Sequence, residues 1–184
     1  MGATRVLLAG MAVVCGGVFA AAVAAPLNIV AVGASNTAGW GVGAQNAYPA
    51  RLEAMLRRKG YEAHVVNAGV SFSTTTGMRE RLDSVVRPGT SVVILQPGVN
   101  DLLFFGSKER RAANIAAIVR RMQARHIKVI VAENTIVPLN ERQADGLHFT
   151  EKGHVLVASW LLPRVIGAAG ARAPAAKLSA KAAD

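Results

Sequence analysis

Four short apolar runs alternate along this chain with stretches of helical periodicity, and that alternation restricts the fold more than any other feature. The runs are residues 27–32, 63–68, 91–96 and 128–133, and the first three stop at Gly33, Gly69 and Pro97-Gly98. Between them, residues 49–59 place Leu52, Met55 and Leu56 on one stripe. Pro49 suits a first helical position there and Gly60 ends the segment. Residues 76–86 predict a short helix stopped by Pro88-Gly89. Residues 108–125 predict a long basic helix with Ile115, Ile118, Val119 and Met122 facing inward. Residues 151–166 predict a last helix, capped by Thr150 and kinked or ended by Pro163. Strands this apolar are buried on both faces, so the expected class is α/β, a parallel sheet covered by helices.

The 184 residues suit one domain. At the start, Arg5 precedes an uncharged stretch over residues 6–25 that contains Ala22-Val23-Ala24, a small-x-small cleavage pattern. Residues 1–24 therefore predict a cleavable signal peptide and an exported protein, periplasmic or secreted; the alternative is an uncleaved anchor. The domain is expected over 25–167, with an Ala-rich flexible tail over 168–184. The one cysteine, Cys15, falls in the signal, which excludes a disulfide framework and a Cys-based zinc site. The net charge is +10, from 21 Lys and Arg against 11 Asp and Glu. The basic clusters Arg57-Arg58-Lys59, Arg110-Arg111 and Arg120-Arg121 lie on different helices with no stacking aromatics between them. No nucleic-acid partner is expected, while weak contact with anionic membrane or glycan surfaces fits the charge. A monomer is expected.

In parallel α/β sheets, ligands sit outside the carboxyl ends of the strands. The residues there are Gly33-Ala34-Ser35-Asn36-Thr37, Asn67-Ala68-Gly69-Val70-Ser71, Gly98-Val99-Asn100-Asp101 and, on a longer loop, Asp145-Gly146-Leu147-His148. Together they supply a hydroxyl nucleophile, a glycine amide, an asparagine amide and an acid–base pair, the inventory of serine acyl transfer. Competing motifs fail. Trp40 follows Gly39 where a phosphate loop needs Lys, Asn46 breaks a dinucleotide fingerprint begun at Gly41, and Thr37 stands where a nucleophile elbow needs Gly. His148 and His154 are poorly spaced as metal ligands, and Asp101 reads as a structural cap beside Asn100.

With Ser35, Gly69, Asn100 and His148 in order in four blocks, the sequence resembles the SGNH (GDSL-type) serine esterases and lipases. It is most similar to their small secreted thioesterase and lysophospholipase branch, and the resemblance spans residue 27 to about 166. It implies a flavodoxin-like three-layer α/β/α sandwich with a small parallel sheet, here shortened. It also implies Ser35 as nucleophile, His148 as base and then acid, and Asp145 as the group that orients His148. The N–H groups of Ser35 and Gly69 and the side chain of Asn100 would form the oxyanion hole. The reaction implied is hydrolysis of carboxylic ester or thioester bonds in acylated small molecules, lipids or glycans, with no metal or organic cofactor. Trp40, Leu103 and Phe104 are weaker candidates for the substrate pocket, since the run Leu102–Phe105 also reads as core.

Two departures bear on that reading. Ala34 and Asn36 stand where the family has Asp and Leu; that Asp is not the triad acid, but its local hydrogen bonding is lost, which loosens the expected placement of Ser35. Only 43 residues separate Asp101 from Asp145, short by about one βα unit, so an edge strand or one side of the cleft is expected to be missing. Acyl transfer to a glycan hydroxyl and a non-catalytic binding module on the same fold are the alternative functions.

Overall fold

The computed structural model describes residues 25–105 and 107–170. The expected signal peptide and most of the expected tail lie outside the described residues. The elements are β1 (Leu27–Gly33), α1 (Ser35–Ala38), α2 (Tyr48–Arg58), β2 (Ala63–Gly69), α3 (Thr75–Glu80), α4 (Leu82–Val85), β3 (Val92–Gln96), α5 (Lys108–Gln123), β4 (Lys128–Val131) and α6 (Glu151–Ala168). The four strands form one parallel sheet in the order β2-β1-β3-β4. The chain steps from β1 outward to β2, then back across β1 to β3. The crevice where this reversal occurs, between the ends of β1 and β3, is where such sheets bind ligands.

Successive side chains of a strand point to opposite faces, and both faces are filled. Leu27, Ile29 and Ala31 of β1 meet Val92 and Ile94 of β3 under α2 and α6, through Leu52, Leu56, Val157 and Leu161. Val30 and Val32 meet Val93 and Leu95 under α3, α4 and α5, through Met78, Leu82, Ile118 and Met122. The result is the three-layer sandwich. Burial on both faces holds for the central strands. At the edges it does not: His64, Val66 and Asn67 of β2 and Lys128 of β4 are exposed, because an edge strand has a neighbour on one side only. The sheet has four strands among the described residues, and β4 leads straight into the loop that carries Asp145 and His148, in keeping with the missing βα unit.

Two local expectations are corrected, and one element is new. The helix expected over 76–86 is two short helices that break at Arg81. Pro163 does not end α6, which runs on to Ala168. Pro163 and Ser159, whose carbonyl loses its i+4 donor to the proline ring, both face solvent, and water can take the lost hydrogen bond. The short helix α1, directly behind β1, has no apolar periodicity to announce it. It fits because Gly33 and Gly69 lack side chains. A Cβ on Gly33 would sit 1.9 Å from Thr37 Oγ1, and one on Gly69 would sit 2.3 Å from the backbone N of Ala38.

Candidate active site

Ser35 is the first residue of α1, two positions beyond the end of the central strand β1. That placement lifts its hydroxyl over the sheet and leaves its backbone N–H without an intrahelical acceptor. A buried polar chain anchors the helix. Thr37 Oγ1 lies 3.1 Å from the Tyr48 hydroxyl and donates to Gln96 Oε1 at 3.1 Å, and Gln96 Nε2 donates in turn to Asn134 Oδ1. One helical turn is thereby tied to α2, β3 and the segment after β4.

The loop carrying Asp145 and His148 has no strand or long helix to hold it. Arg142 does that work: its guanidinium donates to the carbonyls of Asn134 (3.0 Å), Val137 (2.9 Å) and Gly146 (3.1 Å). Phe149 is fully buried, and Gly153 in the first turn of α6 lies so close to the Glu141 carbonyl that a Cβ would stand 2.5 Å from it. The shortened connection is therefore held by hydrogen bonding and close packing.

His148 Nε2 lies 2.9 Å from Ser35 Oγ, and His148 Nδ1 lies 2.5 Å from Asp145 Oδ2. The other carboxylate oxygen, Asp145 Oδ1, accepts the N–H groups of Leu147 (2.8 Å) and His148 (3.0 Å). The imidazole and these two N–H groups hold the Asp145 carboxyl well below its usual range, at about 2. It stays anionic at any ordinary pH. Trp40 stacks on the imidazole, with ring centroids 5.6 Å apart, and meets Phe72 edge-on.

The cleft beside Ser35 is lined by Ala34, Asn36, Phe72, Gln96, Gly98, Val99, Asn100, Leu103, Phe104, Asn134, Leu147 and His148. Asn100 lies at the start of a π-helical turn (Asp101–Phe105), nearly buried, with Nδ2 donating to the Ser73 carbonyl at 3.0 Å. Its neighbour Asp101 points away and takes the N–H and hydroxyl of Thr75 at 2.9 and 2.6 Å, a structural role. Leu103 and Phe104 line the cleft and are about half exposed, so this part of the apolar run is wall and not core.

Gly69 lies outside the cleft lining, and its N–H donates to Asn67 Oδ1 at 3.0 Å. Its part is to let α1 lie against β2. That side of the cleft is closed by Phe72, which the sequence reading passed over. Phe72 has a left-handed backbone, φ 62°, and is 64% exposed. No sequence signal announces a phenylalanine in a conformation that favours glycine. Trp40 is also displaced from its expected place: it backs His148 and Phe72 without lining the cleft. His154, the other histidine of this region, is fully buried with Nδ1 accepting the Tyr48 N–H at 3.2 Å. Burial, with Arg51 nearby, pushes its pKa down to about 4. Among the described residues no three His, Cys, Asp or Glu side chains gather as a metal site.

Residues 31–144 match the GDSL-like lipase/acylhydrolase family. The chain belongs to that family. The match includes Ser35, Gly69 and Asn100 and ends one residue before Asp145. The chain is 28% identical to esterase TesA of Pseudomonas aeruginosa over 109 residues, 59% of this chain and 54% of that one. It thus spans about half the length of the curated relative it matches. Among solved structures, AlinE4, described as an SGNH-hydrolase family esterase, is 28% identical with a TM-score of 0.54 over 80% of this chain and 75% of its own. A TesA crystal structure shares the fold at 20% identity, with a TM-score of 0.69 over 77% of this chain and 99% of its own.

Proposed function

We propose that this family member is an exported serine ester hydrolase that cleaves carboxylic ester or thioester bonds through an acyl-enzyme on Ser35. The observation that carries the reading is the continuous relay Ser35 Oγ–His148 Nε2–Asp145, at 2.9 and 2.5 Å, opening onto a cleft. The similarity to two esterases supports the reaction class, and the sequence of residues 1–24 supports export.

In this mechanism Ser35 Oγ attacks the acyl carbonyl carbon while its proton passes to His148 Nε2. Asp145 holds the Nδ1–H tautomer and stabilises the imidazolium that forms. The negative charge on the former carbonyl oxygen meets the Ser35 N–H and Asn100 Nδ2. Donors of this kind are worth about 10²–10³ each in rate. His148 then gives its proton to the departing alcohol or thiol as the tetrahedral species collapses to the acyl-enzyme. Water repeats the sequence, losing its proton to His148 and releasing the acid and free Ser35.

The mouth of the cleft favours acyl substrates. Phe72, Leu103, Phe104 and Leu147 line it while 36–64% exposed, and Trp40 adjoins them. An apolar collar of this kind around a polar catalytic group suits a substrate with a hydrocarbon portion and a polar carbonyl.

The test is turnover of p-nitrophenyl acyl esters of graded chain length, with covalent labelling by a fluorophosphonate. Wild type should hydrolyse and label, while Ser35→Ala should fold normally and do neither. Full activity in Ser35→Ala would remove the assignment. Transfer of the acyl group to added glycan in preference to water would move the protein to the transferase alternative.

A further inference from the structure

The side chain next to the nucleophile has a place in the geometry that the relay itself does not account for. Asn36 is the second residue of α1 and only 5% exposed. Its Nδ2 donates to the Leu147 carbonyl at 3.2 Å, and its Oδ1 accepts the Phe149 N–H at 2.9 Å. These two backbone groups flank His148 on either side. The side-chain amide therefore engages the loop as a neighbouring strand's peptide would, with one donor and one acceptor, and only one orientation of the amide satisfies both.

We propose that Asn36 is a positioning residue that sets His148 at hydrogen-bonding distance from Ser35. The inference rests on the acyl-transfer reading of the site. Asp145 cannot supply this alignment. Its three partners, the N–H groups of Leu147 and His148 and the His148 ring, all belong to its own loop. It orients the imidazole within the loop but does not fix the loop against α1. Gln143 adds an outer tie, its Nε2 donating to the carbonyls of Trp40 and Phe149 at 2.9 Å, but Trp40 lies beyond the end of α1. Asn36 is one peptide bond from Ser35, so its two hydrogen bonds convert the position of the nucleophile directly into the position of its base. Asn36 stands where the family has leucine, and the asparagine makes a tie that a leucine side chain cannot make.

The experiment compares Asn36→Leu, which keeps the side chain's size and removes both hydrogen bonds, with wild type. Active sites are titrated to completion with a fluorophosphonate, and kcat is expressed per titrated site. A misplacement of about 1 Å costs about 10²-fold in rate. Asn36→Leu should therefore titrate fully but label slowly, with kcat per site reduced about 10- to 100-fold and KM within about threefold. A merely structural role would lower the titratable fraction and leave kcat per site unchanged. That result, or kcat per site within twofold of wild type, overturns the proposal. Asn36→Asp keeps the acceptor for the Phe149 N–H and lacks the donor for Leu147, so it should fall between the two. It decides the matter if Asn36→Leu does not fold, a kcat per site equal to wild type again counting against the proposal. A wild-type protein that neither labels nor turns over would instead remove the acyl-transfer reading itself.

Discussion

The indole of Trp40 lies on the imidazole of His148 with 26° between the ring planes and 5.6 Å between centroids. In the proposed mechanism His148 becomes cationic in the transition state, and a flat aromatic face over it stabilises that cation more than the neutral ring. At a half-exposed site the effect is about 0.5–2 kcal/mol. Trp40→Ala should accordingly lower kcat/KM by about 2- to 30-fold, and Trp40→Phe should lose less. Steady-state kinetics on a soluble short-chain ester would check this, and an unchanged rate in Trp40→Ala would show that the stack is packing only.

Asp145, held at about 2 by the His148 ring and two N–H groups, does not titrate between pH 4 and 9. Its replacement by Asn should keep the loop's shape but put an amide where the Nδ1–H needs an anion. The loss in kcat is expected at roughly 10²–10⁴-fold, with a measurable residue. A pH–rate profile of the wild type should show no transition assignable to Asp145 in that range.

His154 gives a stability prediction with a definite sign. Its pKa is about 4 in the fold, lowered first by burial and then by Arg51, against about 6.5 in an unfolded chain. Below pH 6.5 the unfolded chain binds a proton that the folded protein refuses. Stability should therefore fall as pH drops from 6.5 towards 4, by roughly 3 kcal/mol at most, and then level off with respect to this group. Urea denaturation at pH 7, 5.5 and 4.5 measures it. His154→Asn, which can still accept the Tyr48 N–H, should flatten the profile over that interval.

Gly69 should be intolerant for a steric reason unrelated to the oxyanion. A Cβ there would meet the Ala38 N at 2.3 Å and the Thr37 carbonyl carbon at 2.6 Å, both backbone atoms. Gly69→Ala is expected to cost about 1–3 kcal/mol in stability and to lower activity by displacing α1 and Ser35. A Tm equal to wild type would contradict this packing account.

The four strands, the longer helices, and the grouping of Ser35, Asn100, Asp145 and His148 at one cleft were legible in the sequence. Apolar runs closed by Gly or Pro-Gly carry their own periodicity, and catalytic groups must stand just beyond them. The parts that were not legible share one cause: they depend on what lies across space from a residue. Gly69 has the right position along the chain for a donor, but its N–H is taken by Asn67 and its missing Cβ is needed by α1. Phe72 reaches the cleft through a left-handed backbone that its residue type does not announce. Asn36 reads locally as the loss of a leucine, and becomes a clamp only because residues 147–149 fold back over it.

The sequence by itself determined that this chain forms a small parallel α/β domain with one acyl-transfer inventory along its strand ends, because hydrophobic periodicity and residue chemistry are local properties. Its shortness after Asp101 reads along the chain as a weakness. The tertiary structure decided how that brief connection is held: Arg142, Phe149 and Asn36 fix it by hydrogen bonds and packing between residues up to 113 positions apart. Contacts of that separation exist only once the sheet and helices have brought both ends of the site together.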